Sequence, residues 1–184
     1  MAKKYIIFIL LTVLTLGFAS SVEAKVFMKR DEALKTVFPE AAEIEKNEIF
    51  LSSDQSQTIE SMSRAKNESK LYIIYEAKNG DKTLGYAIID THSLRTKTET
   101  VMFVINPDGS LKQTEVLAFF EPPDYQAGSN WIELFEGKTS EDSLKLGKDI
   151  PNITGATITA NSLSQATRRV LAVFKVASDD GQLK

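Results

Sequence analysis

Cysteine is absent from the 184 residues, and histidine and tryptophan occur once each. Without a thiol the chain forms no disulfide, ligates no iron–sulfur cluster and attaches no haem through thioether bonds. The one histidine, His92, sits in IIDTHSLRTKTE between two strand-like runs, with no clustered carboxylates to complete a metal site. It reads as a surface or turn residue, and no G-x-S-x-G elbow exists for it to serve. Basic blocks are missing as well. The balance of 22 Lys+Arg against 25 Asp+Glu, a net charge of −3, argues against nucleic acid or an anionic membrane as the main partner. Nothing repeats, and no segment is of low complexity.

Several motifs fail on inspection. FEGKT, residues 135–139, resembles the end of a phosphate-binding P-loop, but the earlier glycine that motif needs falls at Ile132. Asn67-Glu68-Ser69 and Asn152-Ile153-Thr154 match the glycosylation sequon, a pattern frequent by chance. The carboxylates Glu121, Asp124, Glu133 and Glu136 read as solvated helix and loop residues, not as a glycosidase pair.

Only one long apolar run is present. Lys3 and Lys4 precede Tyr5 to Ala19, and Val22-Glu23-Ala24 has the small-residue pattern of a cleavage site. The run is shorter than the ~20 residues that span a bilayer comfortably. We expect residues 1–24 to be a signal peptide, which places the rest on the periplasmic or extracellular face of a membrane. Removing Lys3, Lys4 and Glu23 leaves 20 basic and 24 acidic residues, a net charge of −4. The remaining 160 residues (184 minus 24) suit one domain with a single core.

Asp31 to Lys46 has helical apolar spacing with Pro39 inside it, Ile49-Phe50-Leu51 suits a short strand, and Ser56 to Asn67 a polar helix. LYIIYEAK and TLGYAIID flank Asn79-Gly80, a hairpin signal. TETVMFVINPDGSLKQTEVLAFFE is a second hairpin turning at Asn106-Pro107-Asp108-Gly109. In its second arm Leu111, Gln113, Glu115 and Leu117 alternate with Lys112, Thr114, Val116 and Ala118, leaving the inward face ambiguous. SNWIELFEGK reads as a short helix with Trp131, Leu134 and Phe135 on one side. Leu163, Ala166, Val170, Val173, Phe174 and Ala177 form a stripe at 3.6 spacing. The fold class is α+β: a mainly antiparallel sheet flanked by helices. Residues 25–69 form a helical N-terminal part, 70–178 the core, and 179–184 a polar tail.

The stretch NITGATITANSLSQATRRV, residues 152–170, concentrates hydroxyls where this last helix begins. A Gly-Ala turn running into a helix leaves backbone N–H groups without intrahelical partners, and with the dipole they favour a phosphate. Gly155 lets the backbone approach closely, Thr154 and Thr159 can donate hydrogen bonds, and Thr157 is placed for covalent attachment. Simple N-capping by Ser and Thr, contributing ~1 kcal/mol, explains the same composition.

TGATIT, residues 154–159, resembles the flavinylation motif of the exported FMN-binding domain family, best known from FMN-carrying subunits of sodium-translocating NADH:quinone reductase and Rnf complexes. The looser similarity extends over Lys70 to Val176, including LGYAIID and VINPDGSLKQTEVL. It implies FMN joined to Thr157 as a phosphoester by a dedicated flavin transferase, with Thr154, Gly155, Ala156 and Thr159 cradling the phosphate. AFFEPPDY resembles the family segment beside the flavin, which implies Glu121 and Tyr125 along the ring. Phe103, Phe119, Phe120 and Trp131 are further aromatics for packing or core. The family's aspartate six residues before the acceptor is here Pro151, with Asp149 two residues further out. The resemblance implies an electron-transfer flavoprotein, or a component of an oxidoreductase system, working with a membrane-bound or periplasmic redox partner. A small exported flavin-dependent reductase with its own soluble substrate, and a cofactor-free secreted binding module, are the alternatives.

Overall fold

The computed structural model describes residues 25–183, so the expected signal peptide lies outside the described residues. The chain runs β1 (Lys25–Val26), α1 (Arg30–Val37), β2 (Glu43–Phe50), α2 (Ser53–Ser63), β3 (Leu71–Asn79), β4 (Lys82–Ser93), β5 (Thr98–Ile105) and β6 (Leu111–Phe119). There follow a 3₁₀ turn (Pro123–Tyr125), α3 (Ser129–Ile132), a second 3₁₀ turn (Glu133–Phe135) and α4 (Thr157–Asp179). All six strands form one antiparallel sheet in the order β1-β6-β5-β4-β3-β2. The α+β architecture expected from the sequence is the one observed.

Both sheet faces are covered. Ile74, Ile88, Val101, Phe103 and Ile105 bury against Leu163, Ala166, Val170, Val173 and Phe174 of α4. On the other face Tyr75, Ala77, Ala87, Met102 and Val104 meet Leu34 and Val37 of the shorter α1 and Phe38 just after it. Period-two alternation sends successive residues of each strand to these two cores. Gly85 sits where the sheet and the end of α1 come closest. With φ +154°, a side chain there would place its Cβ 2.9 Å from the Ile105 carbonyl and 3.2 Å from the Phe38 ring, so only glycine fits.

The helical spacing of residues 31–46 misleads. The helix stops at Val37, and from Glu43 the chain pairs with β3 over eight residues, so the N-terminal segment supplies a strand as well as helices. Pro39 lacks an N–H and restricts Phe38 before it. Helix α2 starts at Ser53, earlier than its polar run suggests, because Ser52 and Gln55 form a capping box. Its last turn is held by α4, where Arg168 Nε donates to the Ser63 carbonyl at 2.6 Å. In SNWIELFEGK, Phe135 is buried but Leu134 points to solvent, because the helix tightens to 3₁₀ after Ile132.

The ambiguous arm β6 is explained by two bulges. Register passes from Thr100–Ala118 to Val101–Val116, and from Val104–Gln113 to Ile105–Leu111, leaving Leu117 and Lys112 as extra residues. Each extra residue reverses the alternation. Leu111 and Val116 therefore face α4 while Leu117 joins the α1 side.

Candidate functional site

The site forms where three segments meet at one end of the sheet: the β4–β5 turn, the loop after β6 and the start of α4. Leu94, Arg95, Glu121, Tyr125, Gly155, Ala156, Thr157, Ile158 and Thr159 line a cavity of about 200 Å³. Six of the seven residues expected at the site are thereby brought together. Thr154, exposed on the preceding loop, is not among the lining residues.

The start of α4 is open. Its N-cap is Ala156, with no side-chain cap, so the hydroxyls of this stretch are not there as a simple helix cap. Ala160 N–H closes the first turn on the Ala156 carbonyl at 2.9 Å. Among the described residues, the amides of Thr157, Ile158 and Thr159 ahead of it find no acceptor in the protein. Gly155, at φ +86°, makes the turn that aims them, with open space where a side chain would stand. Unpartnered amides and the positive end of a 23-residue helix create a concentrated preference for an anion.

The three threonines have different roles. Thr157 is exposed, and its hydroxyl makes only a 3.2 Å contact to the Ile153 carbonyl one turn back. Thr159 is buried, and its hydroxyl donates at 2.6 Å to the Tyr125 carbonyl, so it fastens the opposite wall. Of the three threonines, Thr157 is the one that is exposed and lines the cavity.

Glu121 is also a fastener, and it is buried where the sequence reading had it solvated. Its Oε1 accepts from Thr96 N at 2.5 Å, Lys97 N at 2.8 Å and Thr96 Oγ1 at 3.0 Å. Those bonds, the Thr96 amide foremost, hold its carboxyl below the usual carboxylate range. The turn is closed by Leu94 N donating to the Lys97 carbonyl at 2.9 Å. This turn carries Leu94 and Arg95 into the cavity wall, a contribution the sequence reading missed. No local pattern ties residues 94–95 to residues 155–159.

Of the aromatic candidates, only Tyr125 lines the cavity. Phe103 and Phe119 are fully buried, and Phe120 lies in a groove on the α1 side. Trp131 packs edge-on against Phe135 and donates through Nε1 to the Pro151 carbonyl at 2.7 Å. Asp149 is engaged within its own loop. Its Oδ2 takes the Ser143 hydroxyl and the Lys145 amide, and these bonds, the hydroxyl first, lower its pKa.

His92 is no turn residue. It lies within β4, its ring mostly buried, with Nδ1 2.9 Å from Asp90 Oδ2 and Nε2 3.3 Å from Glu99 Oε2. Arg169 Nη2 reaches both Asp90 oxygens at 2.9 and 3.0 Å. Among the described residues no group of carboxylates and histidine is arranged to hold a metal ion, and no helix is long and apolar enough to cross a membrane.

The family model of the FMN-binding domain matches residues 96–172. That span contains β5, β6, the following loops and the first two-thirds of α4, and the chain carries an FMN-binding domain there, with FMN as its cofactor. The fold is similar to the crystal structure of Shewanella oneidensis NqrC, with a TM-score of 0.52 and 12% identity over 83% of this chain and 88% of that one. No curated protein matches the chain.

Proposed function

We propose that this chain is an extracytoplasmic flavoprotein that relays electrons through FMN tethered to Thr157 as a phosphoester. The observation that carries the reading is the position of Thr157 inside an FMN-binding domain: an exposed hydroxyl beside three unpartnered amides at the start of α4. The amides and Gly155 suit the phosphate, and the cavity they open into is small and partly apolar, walled by Leu94, Tyr125 and Ile158. Bound FMN supplies the redox chemistry, while the protein sets position, access and potential. Attachment condenses the Thr157 hydroxyl with the phosphate, with net loss of water, and needs a flavin transferase that can reach the exposed Oγ1. A tether keeps the cofactor where no free FMN pool exists, which agrees with the export signal read in residues 1–24. The fold shared with NqrC supports a membrane-bound or periplasmic redox partner.

The test is intact mass and in-gel flavin fluorescence after denaturation, on chain exported with a flavin transferase and beside a Thr157→Val variant. A fluorescent band, a mass gain of one FMN less water, and loss of both in the variant are expected. A yellow native protein that is dark once unfolded removes the covalent bond from the reading. A colourless protein in both states removes the relay.

A further inference from the structure

Among the described residues Arg95 is the one cation lining the cavity, and no motif reading assigns it a role. It stands on the β4–β5 turn, exposed, and among the described residues its guanidinium makes no ion pair or hydrogen bond. The neighbouring acid, Glu121, is engaged elsewhere: its Oε1 is taken by the Thr96 and Lys97 amides. These amides belong to the turn that carries Arg95, so the carboxylate fixes the backbone from which the arginine projects. Across the cavity lie the free amides of Thr157, Ile158 and Thr159. Neutral amides and a helix dipole stabilise a phosphate, but they leave its charge uncompensated, and Glu121 adds a negative charge to the same wall. Guanidinium is the group whose fork of donors matches phosphate oxygens and which stays charged at any working pH.

We propose that Arg95 is the specificity residue for the phosphate of the cofactor: its guanidinium pairs with the FMN phosphate opposite the α4 amides, so the site selects FMN over uncharged riboflavin. This rests on the FMN reading of the same cavity and assigns the group that reads the phosphate before any covalent bond forms. Glu121 is the positioning residue behind it.

The experiment uses the chain produced without a flavin transferase and titrates it with FMN and with riboflavin, following quenching of flavin fluorescence. The parent binds FMN more tightly than riboflavin. Arg95→Gln weakens FMN binding by about tenfold or more, as loss of one charge-assisted contact requires, and spares riboflavin. Arg95→Lys retains part of the preference, and raising the salt concentration erodes it in the parent more than in Arg95→Gln. The residue is exposed, and equal thermal melts for the three proteins exclude a folding effect. An Arg95→Gln protein with the parent's FMN preference overturns the proposal and leaves the flavin reading intact. A parent that binds both flavins equally overturns the assignment of phosphate selection. A parent that quenches neither flavin overturns the proposal together with the reading beneath it.

Discussion

The hydroxyl of Thr159 donates a 2.6 Å hydrogen bond to the carbonyl of Tyr125, joining the first turn of α4 to the loop after β6 across 34 residues of chain. Within TGATIT the two flanking hydroxyls of the helix thus divide their work. Thr157 faces outward into the cavity, and Thr159 binds the cavity's two walls together. Thr159 is 2% exposed, so this bond is made at a buried position of the helix.

Replacing Thr159 by valine, close in shape but without the hydroxyl, should therefore cost about 1 kcal/mol of stability. For a domain of this size that is a Tm lower by about 2–4 °C. Thr159→Ser should stay close to the parent, because it keeps the donor. Flavin should still be attached at Thr157 in both variants, read by in-gel fluorescence. A Thr159→Val protein of unchanged Tm that loses its flavin would instead place this hydroxyl on the cofactor.

Glu121 predicts an acid-side effect. Its carboxyl is held below the usual range by the Thr96 amide first and the Lys97 amide second, against an opposing effect of burial. A depressed folded pKa contributes stability that is fully present above the unfolded pKa and is lost as pH falls through the folded one. Glu121→Gln should remove that part of the acid limb, so parent and variant converge at low pH and separate above it. Urea unfolding at a series of pH values from acid to neutral measures this. Curves separated by a constant offset at every pH would show that Glu121 contributes packing alone.

Much of this was legible in the sequence because the signals are local. Asn79-Gly80 and Asn106-Pro107-Asp108-Gly109 close real hairpins, and the stripe from Leu163 to Ala177 is the buried face of α4. Residues 155–159 of the motif line one cavity together with Glu121 and Tyr125. What escaped depends on partners distant along the chain. The β6 face cannot be read from β6, because the bulges at Lys112 and Leu117 exist only in its pairing with β5. The end of the strand Glu43–Phe50 was legible at Ile49-Phe50, but its start was hidden by a helical spacing that carries across Pro39. His92 looked solvated until Glu99 was placed opposite it on β5 and Arg169 above the pair on α4. Arg95 and Glu121 show the same limit: each has a meaning only once the turn and the loop meet.

The His92 network predicts a pH-dependent stability of the opposite sign. Burial disfavours the charged ring, but bonding to Asp90 and then to Glu99 outweighs it, and the pKa of His92 is raised. Its stabilisation is complete below the unfolded value of about 6.5 and is lost as pH rises through the folded value. Asp90 is the converse: burial pushes its pKa up, but His92 and Arg169 together outweigh burial and lower it, and its stabilisation is lost as pH falls through the folded value. The network is strongest between these limits, in weakly acidic to neutral solution. His92→Ala leaves Glu99, fully buried, without the one cation that pairs with it among the described residues, and should cost about 3 kcal/mol near pH 6, less as pH rises above neutrality. A cost independent of pH between 6 and 9 would mean that the ring is neutral throughout.

Pro151 permits a gain-of-function test of the attachment site. The resemblance implies an aspartate six residues before the acceptor, and Asp149 does not replace it. Its carboxylate is held by Ser143 and the Lys145 amide, so redirecting it toward Thr157 would break both contacts. The proline's own structural contribution is its carbonyl, which accepts from Trp131 Nε1 at 2.7 Å; any residue at 151 supplies that carbonyl. Pro151→Asp should therefore keep the Trp131 contact and the fold, with a stability change within about 1 kcal/mol from the released backbone freedom. It should raise the fraction of chain that is fluorescent after denaturation when the flavin transferase is limiting. Asp149→Asn should loosen the 143–149 loop and lower the Tm without a comparable effect on that fraction. Equal labelling of Pro151→Asp and parent over a time course would mean that the transferase reads TGATIT alone. Loss of labelling in Asp149→Asn at unchanged Tm would assign the missing carboxylate to Asp149 after all.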